Sequence, residues 1–313
     1  MNRKTAVLGG GSLGLLLAFK LIAAGLPCVL WTRTREQADR LNRDGLILQN
    51  AEGETAGRVT VESRAWDGEG TDGAELVLLA VKQTALEPAF LERLARAVPL
   101  NGTVVPFQNG IGHVAKLRAA LPGRSVVAAV TTEGALRIDE TTVRHTGRGE
   151  IRIGGDGEPE SAPEVARLLK EAGFSAFLSN DWEESILRKL LVNAAINPLT
   201  AILRIANGGL AESSERLALT KALFEETYGI LRDCGLGLPE AEGWNEILRV
   251  CRATSGNRSS MLQDVLAGRP TEIDAINGEI VRMAERLGRD APWNRAVTAL
   301  VKAIGNSINV EKR

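Results

Sequence analysis

Histidine is almost missing from this chain: only His113 and His145 occur in 313 residues. A histidine-rich metal centre is therefore excluded, no metal is expected, and a histidine acid or base would have to be one of these two. Cysteine is nearly as scarce. Cys28, Cys234 and Cys251 are odd in number and widely spaced, so they form neither a disulfide framework nor a metal-ligand motif, and a reducing cytoplasmic setting is expected. Charge bias is missing too: 38 basic residues face 39 acidic ones, which removes the electrostatic case for a nucleic-acid or anionic-membrane partner. No apolar run is read as long enough to cross a bilayer. "MNRKTAVLGGG" leads directly into a strand and a glycine turn, so no signal peptide is expected.

A chain of this length suggests two domains. "TAVLGGGSLGLLLAFKLIAAGLPCVLWTR" reads as strand, glycine turn, helix and strand, with Gly25 and Pro27 ending the helix. Further strands are expected in "ELVLLAVK", "TVVPFQNG" and "SVVAAVTT". They alternate with helices over 34–44, 84–97 and 114–121. That alternation predicts an α/β Rossmann-type doubly wound sheet. "TVRHTGRGEIRIGG" reads as two short strands around a "TGRG" turn, a hairpin that would make the far side of the sheet antiparallel. Beyond residue 180 the strand signals fade and helical periodicity dominates. The expected organisation is a dinucleotide-binding domain over 1–180 and an all-helical C-terminal domain over 181–313.

Gly9, Gly11 and Gly14 form G-x-G-x-x-G, a weak signal alone. Here it follows a strand and opens a helix, which is the context a dinucleotide site requires. The first glycine makes the turn, the second lets the backbone approach a pyrophosphate, and the third packs helix on strand. The turn Gly9, Gly10, Gly11, Ser12, Leu13 and Gly14 is thus the expected phosphate cradle, at the positive end of a helix. At the end of the second strand, "WTRTRE" places Arg33 where NAD-preferring sites carry a carboxylate. A guanidinium there suits a 2′-phosphate, which favours NADPH. Lys82, Gln83 and Asn109 follow later strands and are expected beside the cofactor, since ligands bind at the carboxyl ends of parallel strands. Asn109-Gly110 also fits a plain turn, and His113 reads as packing.

One apolar run, "ILRKLLVNAAINPLTAIL", carries Lys189, Asn193 and Asn197 at four-residue intervals, and therefore on one helix face. An unpaired buried amide costs roughly 1–3 kcal/mol and an ammonium more, so the stripe needs partners. Two readings stand on physics alone. Lys189 snorkels to solvent while Asn197-Pro198 restarts a helix after a kink, or the stripe lines a site.

The chain resembles the ketopantoate reductase family along almost its whole length. The segments carrying the resemblance are "GGGSLG" at 9–14, "QNG" at 108–110, "KLLVNAAINPLTAI" at 189–202 and "NRSSMLQDVLAGRPTEIDAINGEIV" at 257–281. The last two are specific to the family, whereas the glycine motif is not. The resemblance implies that Lys189 is the general acid, that Asn193 and Asn197 bind substrate, and that Asn207, Asn257 and Ser260 complete that pocket. It also implies that Glu272 lies where cofactor and substrate meet, as a catalytic and cofactor-contacting group, and that Lys82, Asn109 and Ala135 touch NADPH or substrate. In "TTEGA", Glu133 occupies a position that varies in the family.

The implied reaction reduces 2-dehydropantoate (ketopantoate) to (R)-pantoate in pantothenate and coenzyme A biosynthesis. Its chemistry suits these residue types: hydride at carbon leaves an alkoxide that a desolvated lysine can protonate. Ser260 also opens an S-x-x-Q capping box, and Thr271 with Asp274 forms another, so both Ser260 and Glu272 have simple helix-terminal readings. The rivals are a reductase of another 2-keto acid and a non-catalytic NADPH sensor. The expected partner is a small 2-keto acid, and a homodimer through the helical domain is compatible with the sequence.

Overall fold

A computed structural model of the chain describes residues 3–66, 73–155 and 160–310, with side chains to residue 305. It divides into two compact units: Met1–Gln108 with Gly112–Trp182, and Asn109–Ile111 with Glu183–Arg313.

The first unit runs β1 (Thr5–Leu8), α1 (Ser12–Ala23), β2 (Cys28–Thr32), α2 (Arg35–Asp44), β3 (Leu46–Gln49), β4 (Thr55–Val59), β5 (Glu62–Ala65) and β6 (Leu76–Leu79). It continues α3 (Pro88–Ala97), β7 (Thr103–Pro106), α4 (His113–Ala120), β8 (Ser125–Val126), β9 (Ala128–Thr131), β10 (Gly134–Arg137), β11 (Thr142–Gly147), β12 (Glu150–Gly154), α5 (Ala162–Glu171) and β13 (Ser175–Leu178). Six strands form one sheet in the order β5-β2-β1-β6-β7-β8, every pairing parallel. This is the doubly wound Rossmann order, and its reversal point lies between β1 and β6.

Period-two alternation explains why helices cover both faces. Val7, Leu30, Leu78 and Val105 enter one core with Leu15, Leu16 and Leu41. Their strand neighbours Ala6, Leu8, Val77, Leu79 and Val104 enter a separate core with Phe90, Leu94, Val114 and Leu117. Strands buried on both sides in this way read as continuous apolar runs.

The expected hairpin in 142–154 does not form. β11 pairs with β10 and β3, whereas β12 pairs antiparallel with β9 and parallel with β13, so the two strands lie in different sheets. Gly149 marks the departure: a Cβ there would stand 2.4 Å from the Thr132 carbonyl carbon, a close approach that only glycine permits. The expected strand over "SVVAAVTT" likewise splits into β8 and β9, in separate sheets.

The second unit contains α6 (Trp182–Leu203, beginning in the first), α7 (Ser214–Asp233), α8 (Glu240–Ala253), α9 (Ser260–Leu266), α10 (Asn277–Arg286) and α11 (Pro292–Val310). Short 3₁₀ turns lie at Asn207–Ala211 and Ile273–Ala275. Leu190, Leu191, Ala194, Ala195, Phe224, Ile247 and Ile280 build its core. Two expectations about α6 need correction. It is long and apolar enough to cross a membrane by length and composition, but most of its apolar stretch is buried inside the protein, as befits a core helix. It also runs unbroken through Pro198, so Asn197 does not restart a helix.

Candidate active site

The glycine turn follows β1 at the reversal point of the sheet. Gly9 has φ +126°, and a Cβ there would come within 2.8 Å of the Ala80 carbonyl oxygen. A Cβ on Gly14 would fall 1.8 Å from the Gly9 carbonyl oxygen. Both positions therefore require glycine. Gly11 differs, because apart from its own chain neighbours no atom of the described residues lies within 4 Å of where its Cβ would be. It is the N-cap of α1, and neither a capping side chain nor a first-turn carboxylate closes that helix end. An open, positively polarised N-terminus beside a close-approach glycine fits a dinucleotide pyrophosphate.

Arg33 stands exposed, one residue past the end of β2. Lys82 follows β6 and is partly buried. Ala135 lies in β10 opposite His145, packed against the core that α1 helps build. His113 is buried, with Nδ1 3.0 Å from Gln83 Nε2, in keeping with a packing role. His145 Nε2 lies 2.5 Å from Glu133 Oε2.

In the second unit, Lys189, Asn193 and Asn197 share one face of the uninterrupted α6. Lys189 keeps part of its surface accessible, yet its ammonium is crowded by protein. That desolvation pushes its pKa down to about 8, while the Glu272 carboxylate pulls it back up. Glu272 Oε2 also accepts a hydrogen bond from Asn109 Nδ2 at 3.3 Å. The proposed T-x-x-D box is absent, because no side chain caps the turn that Glu272 precedes. The carboxylate faces Asn109 and the ammonium instead. Asn193 Nδ2 is buried with no hydrogen-bond partner among the described residues.

Asn207 Nδ2 donates to Thr254 Oγ1 at 2.9 Å, and its backbone N–H donates to the Asn257 carbonyl at 3.0 Å. Asn207 and Asn257 are thereby brought together, with Asn207 Oδ1 buried and unpartnered among the described residues. Ser260 does not cap α9. Ser259 does, accepting from the Leu262 N–H at 3.1 Å and meeting Thr200 Oγ1 at 2.8 Å, while Ser260 is exposed in the first turn. Sequence reasoning misses Gln108. It is buried, and neither end of its amide is bonded among the described residues, although "QNG" already flagged the segment.

An all-parallel doubly wound sheet with an open glycine turn, joined to helices that carry a desolvated lysine, defines a nicotinamide-dependent oxidoreductase. Two family profiles cover the chain, one described as "Ketopantoate reductase PanE/ApbA" over residues 5–157 and the other as its C-terminal counterpart over 181–305. The chain belongs to the ketopantoate reductase family. It is 33% identical over 310 residues to a 2-dehydropantoate 2-reductase of Bacillus subtilis, covering 98% of this chain and 99% of that one. A crystal structure of a PanE/ApbA family ketopantoate reductase from Ralstonia eutropha is 29% identical, with TM-score 0.88 over 98% of this chain and 99% of that one. A D-mandelate dehydrogenase in complex with NADH and anilino(oxo)acetate is 26% identical, with TM-score 0.90 over 98% and 99% of the two chains.

Proposed function

We propose that this protein reduces 2-dehydropantoate to (R)-pantoate with NADPH. The observation that carries the reading is Lys189, an ammonium held near pKa 8 on the same helix face as two asparagines and coupled to Glu272. Bound NADPH supplies hydride to the C2 ketone. Lys189 offers positive charge to the forming oxyanion and then its proton, and burial has tuned it for both tasks. Glu272 keeps that amine protonated near neutral pH, and Asn109 orients Glu272. Asn193, Asn197, Asn207, Asn257 and Ser260 hold the substrate's hydroxyl and carboxylate. Residues 9–14, Lys82, Asn109, Ala135 and Glu272 contact the dinucleotide, with Arg33 on the 2′-phosphate. In this reading residues 1–180 bind the cofactor, residues 181–313 carry the substrate and the acid, and the protein works in the cytoplasm as a homodimer.

A second reading rests on the D-mandelate dehydrogenase relative, whose structure holds NADH and an aryl-amide keto acid analogue. It makes this chain an NADH-linked reductase of another 2-keto acid. Oxidation of NADPH and NADH, followed against ketopantoate and a panel of aryl and branched 2-keto acids, separates the two. The proposal expects the highest kcat/KM for the pair NADPH and ketopantoate. Preference for an aryl keto acid would replace it with the second reading.

A further inference from the structure

The glycine turn is held from outside its own motif. The Gly10 carbonyl oxygen accepts from Gln37 Nε2 at 2.8 Å and from Arg137 Nη1 at 3.1 Å. Gln37 is a buried amide on α2 whose other contact is the Glu140 carbonyl, 3.1 Å from the same nitrogen. Its head packs so closely on the turn that a Cβ on Gly10 would stand 2.5 Å from Gln37 Oε1. Arg137 makes a second contact there, its backbone N–H donating to Ser12 Oγ at 3.0 Å. Two segments distant in sequence from the turn, α2 and β10, thus converge on one of its peptide groups, all within the first unit.

The consequence follows from planarity. In a trans peptide the carbonyl and the next N–H point in opposite directions. Fixing the Gly10 oxygen toward Gln37 and Arg137 aims the Gly11 N–H away from them, at a residue whose Cβ position is itself open. A carbonyl bonded to a guanidinium also polarises its own peptide, which makes that N–H a better donor. Ser12 Oγ, already an acceptor, keeps its proton for donation. We propose that Gln37 and Arg137 are positioning residues that set the Gly10–Gly11 peptide and the Ser12 hydroxyl for the cofactor's pyrophosphate. They act on dinucleotide affinity and leave recognition of the adenosine end alone. The inference rests on the dinucleotide reading of the turn.

Calorimetric titration of the full chain tests it with four ligands: NADP⁺, NAD⁺, and the phosphate-poor fragments adenosine 2′-phosphate and adenosine. Gln37→Met and Arg137→Gln should each weaken the preferred dinucleotide about fivefold to tenfold, the usual net worth of one hydrogen bond. Arg137→Lys, which restores the cation, should recover part of that loss. Affinity for the fragments should stay at the wild-type value, and Arg137→Gln should melt within about 3 °C of wild type, since a partly exposed side chain contributes little to stability. Unchanged dinucleotide affinity overturns the proposal, as does an equal loss on dinucleotide and fragment, which would mean general damage. A wild type preferring NAD⁺ removes the NADPH assignment while the proposal is judged on NAD⁺. A wild type binding neither dinucleotide ends both.

Discussion

Asn277 Nδ2 donates to the carbonyl oxygen of Ala194 at 3.0 Å, across 83 residues of sequence. Ala194 stands four residues before Pro198, which has no N–H to give it. A side chain from α10 thus supplies the hydrogen bond that proline withholds, and α6 continues through Pro198 carrying Lys189, Asn193 and Asn197 on one face. The same Asn277 nitrogen meets Asn294 Oδ1 at 2.9 Å, and both asparagines are fully buried.

Removing that donor should be costly. Asn277→Leu leaves the Ala194 oxygen unpaired in the core and Asn294 Oδ1 with only the Thr227 hydroxyl at 3.4 Å, so it should lower unfolding free energy by about 2–3 kcal/mol. Pro198→Ala restores a helical N–H for Ala194, so the Asn277→Leu penalty should shrink in that background. Chemical denaturation of the four proteins of the double-mutant cycle measures the coupling. Strict additivity would show that Asn277 does not compensate for Pro198.

The pH dependence of turnover has a definite sign. In the proposed mechanism reduction needs the ammonium form of Lys189, so kcat/KM should be flat at low pH and fall as pH rises through about 8. Glu272 raises that pKa, so Glu272→Gln should move the alkaline limb to lower pH. Steady-state profiles from pH 6 to about 10 bracket the shift. A limb that stays in place would separate Glu272 from the acid.

The depressed pKa also makes a statement about stability. Free lysine titrates at 10.5 and the folded group near 8, so below pH 8 the fold carries a desolvated ammonium at a cost. That cost is relieved as pH climbs from 8 toward 10.5. Lys189→Met should stabilise the ligand-free protein at neutral pH by an amount on the order of 3 kcal/mol, and the gain should fade above that window. A melting temperature equal to or below wild type at pH 7 would contradict the burial.

Asn193→Ala and Asn197→Ala should weaken keto acid binding while leaving dinucleotide binding near wild type. Titrating each ligand separately into each variant reads the split, and equal losses on both ligands would argue for a disturbed helix instead.

Much of this was legible in the sequence because it is local. Apolar runs between glycine turns predict the parallel sheet, and a four-residue spacing predicts the polar face of α6. What escaped depends on partners far along the chain. Ser260 opens the S-x-x-Q pattern, yet Ser259, whose hydroxyl meets the buried Thr200 hydroxyl, is the residue that caps α9. Asn197-Pro198 has the local chemistry of a helix start, which Asn277 overrides. "TGRG" has the chemistry of a hairpin, yet pairing with β9 and β13 draws the next strand into another sheet. Gln37 carries no motif, and its contact with Gly10 emerges only when α2 folds beside the turn.

The central claim is that the Lys189 ammonium delivers the proton to the reduced ketone. Single-turnover oxidation of NADPH by Lys189→Ala, at saturating ketopantoate and with cofactor binding verified by titration, tests it most directly. The rate should fall by about 10²–10⁴-fold, the range for loss of a general acid. A variant that binds both ligands and turns over at close to the wild-type rate would contradict it.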